Sequence, residues 1–152
     1  MEKMFDDILA RDEKIIKVFK PNKKRYWKNL WFLAIPFFWP HWLMISALTL
    51  FSIWIWGPIL FNKSYKNLFY AYTNKRLIVR SGAIGVDYQS LEYKDLTSTE
   101  VTVGYFDRKT KTGTISFRSP SVHGKPITFQ NIEKPYEVLK EIQEYIDTNV
   151  KK

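Results

Sequence analysis

The chain has no cysteine among its 152 residues. Disulfides and thiolate metal sites are therefore excluded. Absence of cysteine fits a domain held in a reducing compartment. Histidine is almost as scarce. His41 and His123 are the two present, and neither has a ligand or base partner at a useful spacing. Ser119 and Ser121 flank Pro120 without a nucleophile-elbow pattern around them. Gly82 and Gly85 mark a turn with no Lys-Ser/Thr after it, so no phosphate-cradling loop is encoded. No metal site, no cofactor and no enzymatic activity are expected. Repeats, low-complexity segments and long linkers are also missing. Nor is a cleavable leader expected: the charged stretch before the apolar run is too long, and no small-residue cleavage site follows it.

Charge is absent from one place in particular. No Lys, Arg, Asp or Glu occurs from Leu30 to Phe61, although the chain as a whole carries a net charge of +9. A helix needs about 20 apolar residues to cross a bilayer core. The run is long enough for that, and membrane insertion is the expectation. A large apolar interface with a partner is the competing reading. Within the run, "FFWPHWLM" holds Pro40 with His41 between Trp39 and Trp42, and Pro36 stands just before it. Two prolines four residues apart remove helix donors and clash with the preceding turn. Trp and His suit a membrane–water interface. A break is expected there, with His41 to Leu60 as one span. The arm from Trp27 to Trp39 reaches only about 20 Å as a helix, against a core of about 30 Å.

Both flanks of the run are basic. Lys20, Lys23, Lys24, Arg25 and Lys28 precede it; Lys63, Lys66, Lys75, Arg76 and Arg80 follow. Positive segments stay on the cytoplasmic side. A single span would place one cluster outside, whereas a hairpin keeps both inside. The hairpin is expected, with one long kinked helix as the alternative. Lysines beside an anionic leaflet attract it without a shaped pocket. Lys20, Lys23, Lys24, Arg25, Lys28, Lys63 and Lys66 are therefore the candidate anionic-lipid contacts. Nucleic-acid binding is not expected, because no aromatic-lined strand motif of the RNA-binding kind appears.

Outside the run, the N-terminal residues 2–10 read as a short amphipathic helix with Met1, Met4, Phe5, Ile8 and Leu9 on one face, expected to dock on protein rather than to carry function. "EKIIKVFKP" reads as a strand ended by Pro21. Left exposed, that strand would be an aggregation hazard, so it is expected to join the C-terminal unit. The segments "NLFYAYT", "RLIVRSG", "VDYQSLEY", "LTSTEVTVG", "GTISFRS" and "KPITFQN" follow as short strands, and "YFDRKTKTG" reads as a charged turn. The ending "EKPYEVLKEIQEYIDTNVKK" has Pro in its first turn. Its apolar stripe runs from Tyr136 or Val138 through Leu139, Ile142, Tyr145 and Ile146. This helix is expected to cap the sheet.

Strands followed by a terminal helix are the outline of a pleckstrin-homology (PH) fold. The elements "DEKIIKVFKP", "YAYTNKRLIVRSGAIG", "LEYKDLTSTEV", "GTISF" and "ITFQNIEKPYEVLKEI" occur in the order found in the membrane-anchored bacterial PH-like domain family. The chain resembles that family over nearly its whole length, most specifically at "TNKRLIVRSG". The resemblance implies an α+β protein: an N-terminal membrane helical hairpin, then a PH-like antiparallel β-barrel or sheet capped by a C-terminal helix. The implied division is 1–26 for a cytoplasmic helix and strand, 27–61 for the hairpin and 62–152 for the PH-like domain. Phosphoinositide-binding PH folds use a long basic loop between their first two strands. Here that connection is Asn74-Lys75, so a shaped inositol-phosphate site is not expected. Fold does not fix function. The expectation is a non-enzymatic, multi-pass protein of a bacterial plasma membrane with most of its mass cytoplasmic. It would touch anionic headgroups and work through a protein partner or self-association. An anionic-lipid-sensing or envelope-stress accessory role is the alternative.

Overall fold

The computed structural model describes residues 5, 8–34, 56, 58–120 and 126–149, with side chains beyond residue 28 described again only from residue 56. The turn around His41, the middle of the apolar run, most of the expected N-terminal helix and the loop carrying His123 lie outside the described residues.

Seven strands form two antiparallel sheets. The first has β1 (Ile15–Phe19), β2 (Phe69–Thr73), β3 (Arg76–Ser81) and β4 (Asp87–Glu92), adjacent in chain order. The second has β5 (Ser98–Thr102), β6 (Thr112–Arg118) and β7 (Ile127–Glu133). Among the described residues the sheets do not join into a closed barrel, so of the two expected forms the open one is found. Between β1 and β2 stand α1 (Lys23–Ala34) and α2 (residues 58–67), so the connection between the first two strands is the long segment 20–68, and Asn74-Lys75, expected in that place, joins β2 to β3 instead, because β1 is the first strand of the sheet. Despite that separation β1 pairs with β2, with Phe19 opposite Tyr70 and Val18 opposite Ala71. The N-terminal strand thus belongs to the same folded unit as the C-terminal half.

All five residues of β2 are buried, which requires a cover on each face of the sheet. Side chains alternate along a strand. Tyr70 and Tyr72 face one cluster with Leu77, Leu91, Phe117, Phe129 and Ile142. Phe69 and Ala71 face another with Phe5 and Ile78, against which Ile8, Leu9, Ile15 and Val18 pack. The N-terminal segment is that second cover. Burying Phe5 fully contributes about 2–3 kcal/mol. The main core is aromatic: Tyr70 stacks on Phe129 at 4.8 Å, and Phe117 meets Phe129 edge-on at 5.1 Å. The Tyr70 hydroxyl accepts from the Gln130 N–H at 3.0 Å, so its polar tip is satisfied. α4 (Pro135–Asn149) closes this core with Val138, Ile142 and Ile146, spaced four apart on one face. Tyr136 points out, which settles the start of the stripe at Val138.

The charged segment read as a turn is a helix, α3 (Tyr105–Thr110). The Asp107 carboxylate, three residues in, accepts from the Gly104 N–H at 3.0 Å, and the Arg108 N–H donates to the Gly104 carbonyl. Lys111, at φ 51°, ends it in the left-handed conformation.

Candidate functional site

The most family-specific stretch, Thr73-Asn74-Lys75-Arg76, fastens the N-terminal segment to the β2–β3 hairpin. The Arg76 guanidinium grips the Glu13 carboxylate with two hydrogen bonds of 2.9 and 2.8 Å, and reaches the Ile8 carbonyl at 2.7 Å. The buried Thr73 hydroxyl accepts from the Arg76 N–H at 3.0 Å and lies 2.7 Å from Glu13, to which it donates. The Asn74 amide accepts from the Lys14 N–H and donates to the Asp12 carbonyl. Burial pushes the Glu13 carboxyl up, but the hydrogen bonds from Arg76 and Thr73 outweigh it. The group is held below the usual carboxylate range. The polar groups of this stretch are thus occupied in holding residues 8–14. A second tie joins β1 to α4: Lys17 lies 2.6 Å from Glu141, which also accepts from the Tyr72 hydroxyl at 2.9 Å.

The candidate lipid contacts lie at the opposite end of the first sheet, where α1 and α2 start and finish. Asn22 caps α1: its side-chain oxygen accepts from the Arg25 N–H at 3.1 Å. The cap is itself anchored to β7, through Glu133 at 2.6 Å and the Asn131 carbonyl. The helix then opens on Lys23, Lys24 and Arg25 with no acid in its first turn. Cations at a helix N-terminus are unfavourable by a few tenths to about 1 kcal/mol. Helix stability therefore does not explain their presence. The two helices meet through Tyr26 and Phe61, stacked at 4.2 Å, through Trp27 and Phe61 at 4.9 Å, and through the Tyr26 and Ser64 hydroxyls at 2.9 Å. The chain that departs along α1 therefore returns beside it.

This packing brings the two basic groups to one place. Lys23, Lys24, Lys28, Lys63 and Lys66 are exposed. The Lys20 ammonium lies over the Tyr65 and Phe69 rings at 4.9 and 4.7 Å. Arg25 differs from the rest: its guanidinium pairs with Asp107 and both side chains are largely buried, so it joins α1 to α3. That pair also brings Arg108 and Lys109 of α3 beside the base, two cations missed when the stretch was read as a turn. The Gly104-x-x-Asp107 spacing was the available signal, since an acid three residues into a helix satisfies its first N–H groups. Among the described residues no helix is long and apolar enough to cross a membrane, and no group of His, Asp and Glu is placed to hold a metal.

Two solved structures share this architecture. A DUF1696 family protein with a pleckstrin-homology domain from Shewanella loihica PV-4 aligns at a TM-score of 0.50 and 14% identity, covering 94% of this chain and 90% of that one. A pleckstrin homology domain from Shewanella amazonensis SB2B aligns at 0.51 and 16% identity, covering 94% and 82%. At such identities the likeness is one of fold. No curated protein matches the chain. The profile of the Bacterial PH domain family spans residues 17–146, from the middle of β1 to the end of the buried stripe of α4, and the chain belongs to that family.

Proposed function

We propose that this protein is a membrane-anchored, non-enzymatic PH-like module that serves protein–protein interaction or assembly at the cytoplasmic face of a bacterial plasma membrane. The single observation that carries the reading is the β1–β2 pairing. It holds the two ends of the uncharged run on one side, so a run that enters a bilayer must come back. The contact between Tyr26 and Phe61 supports the same return. Lys20, Lys23, Lys24, Lys28, Lys63 and Lys66 then ring the point of entry and meet anionic headgroups. Arg25 acts at one remove, holding α3 against α1. The alternative role, sensing of anionic lipid, draws on the same exposed lysines.

The test exploits the absence of cysteine. Single cysteines at positions 41 and 150 of the full chain are treated in intact cells with an impermeant thiol reagent. We expect no labelling at 150 until the membrane is opened, and labelling at 41 if the turn emerges outside. Labelling of position 150 in intact cells would overturn the cytoplasmic placement. Recovery of the protein in the fraction freed by a salt wash would overturn the anchor. Crosslinking in native membranes then asks for a stoichiometric partner, which lipid sensing alone does not require.

A further inference from the structure

Exposed apolar side chains are unevenly distributed. Of the nine large hydrophobic residues that are exposed among the described ones, seven lie on or just before α2, in the turn between β3 and β4, or on α3. The turn holds Ile84, 92% exposed, and Val86; α3 holds Tyr105, 70% exposed, and Phe106. An exposed turn in water ordinarily carries Asn, Asp or Ser beside its glycines. Here the turn itself, residues 82–86, reads Gly-Ala-Ile-Gly-Val, with no polar side chain at all. Tyr105 and Phe106 stand edge-to-face at 5.5 Å, with the Lys109 ammonium 5.3 Å from the Tyr105 ring. Aromatic rings with a cation beside them are the composition of a membrane interface.

Both features are fastened to the base of the helix pair. The Asn67 side chain, at the end of α2, donates to the Gly82 carbonyl at 3.1 Å. Asp107 of α3 pairs with Arg25 in the first turn of α1. Each tie lies about 8–9 Å along its helix from the level where charge disappears, at 1.5 Å per residue. The headgroup layer adds about 5–8 Å to each side of the hydrocarbon core. The base is thus at or next to headgroup depth.

Resting on the anchored reading above, we propose that the β3–β4 turn and α3 are a second membrane contact. Ile84 and the Tyr105–Phe106 pair enter the interfacial layer on either side of the helix base, with Arg108 and Lys109 meeting anionic headgroups. Four features argue for this occupant: the apolar tips, the cations beside α3, the two ties and continuity with the uncharged run. The contact fixes how the domain sits on the bilayer, where a hairpin alone leaves it free to swing.

The full chain is reconstituted in vesicles of phosphatidylethanolamine and phosphatidylglycerol, with one environment-sensitive fluorophore on a single cysteine. The variants are Ile84→Cys, Tyr105→Cys, Ser46→Cys in the run, and Lys75→Cys at the far end of β3. We expect blue-shifted emission at 84 and 105, quenched by nitroxide lipids labelled at the headgroup and little by aqueous iodide. Position 75 should show the reverse. Aqueous quenching at 84 and 105 with lipid quenching at 46 overturns this contact while leaving the anchor in place. Aqueous quenching at 46 defeats the anchor itself. Protection at 84 and 105 from both quenchers assigns the surface to a protein partner or second copy and overturns the membrane contact. Ile84 and Tyr105 are 92% and 70% exposed, so unlabelled Ile84→Ser and Tyr105→Ser should melt with the parent, which excludes misfolding as the cause.

Discussion

Glu13 places a carboxylate where its side chain has no exposed surface, against an Arg76 that is about one quarter exposed. Removing one partner of a buried pair leaves the other charge uncompensated, at a cost of about 3–5 kcal/mol. We expect Glu13→Ala to lower unfolding stability by about 3 kcal/mol, the low end of that range because Arg76 keeps some water. Arg76→Ala should add little once Glu13 is gone; a double-mutant cycle by urea unfolding in detergent measures this coupling. The pH dependence follows from the depressed folded value of Glu13. Its stabilising contribution is fully present above the ordinary value of 4.5 and is lost as pH falls through the lower folded value. Unfolding midpoints should therefore drop in that acid window, and Glu13→Gln should flatten the drop. The role of this residue was not legible in sequence. "DEK" and "TNKR" stood out as a family signature, but the hydrogen bonds between Glu13 and Arg76 span 63 positions. Only the fold reveals that the signature is a fastening.

Among elements, β1 was readable because Ile15, Ile16, Val18 and Phe19 form a strand that water would not tolerate bare. The N-terminal cover over the outer face of the sheet was readable in part, as a docked apolar face at Phe5, Ile8 and Leu9. Its partner surface was not, since nothing local says that β2 needs burial on both sides. Phe5→Ala should destabilise the protein by about 3–5 kcal/mol in thermal unfolding, because the ring is fully enclosed. α3 was missed for a physical reason: six residues are too few for helical periodicity, and the helix rests on Asp107 as cap and as partner of Arg25. Arg25→Ala should therefore loosen α3, read as faster amide exchange over residues 105–110, with exchange in β2 and β3 unchanged. Equal acceleration in the strands would show that the ion pair supports the whole domain instead.

At the scale of the molecule, the sequence shows the lysines on either side of the uncharged run but does not say which of the neighbouring cations are engaged within the fold. Sequence gave no hint that Arg25 is withdrawn into an ion pair while Arg108 and Lys109 stand beside the base. Ammonium groups on flexible stems act as point charges and make poor shape readers. Stabilisation of the purified chain by added phosphatidylglycerol and by cardiolipin should then be similar per phosphate. It should fade as salt shortens the Debye length below about 5 Å, and weaken in a Lys63→Glu, Lys66→Glu variant. A preference for one lipid that survives high salt would instead reveal a shaped headgroup site.

The pairing of β1 with β2 also has a consequence in time. During synthesis β1 emerges well before its partner, since Phe19 must wait for Tyr70. At 5–20 residues per second that is an interval of roughly 3–10 s. Throughout it β2 is not there to pair with the strand, and the sheet cannot close until the intervening segment has been made and β2 brought back beside β1. A chain whose segment failed to return would keep β1 and β2 apart, each with a bare hydrogen-bonding edge. Such a chain would present itself to proteases as unfinished. In the membrane-anchored role proposed above, the pairing doubles as an inspection step, in which a folded domain certifies that its own insertion went correctly.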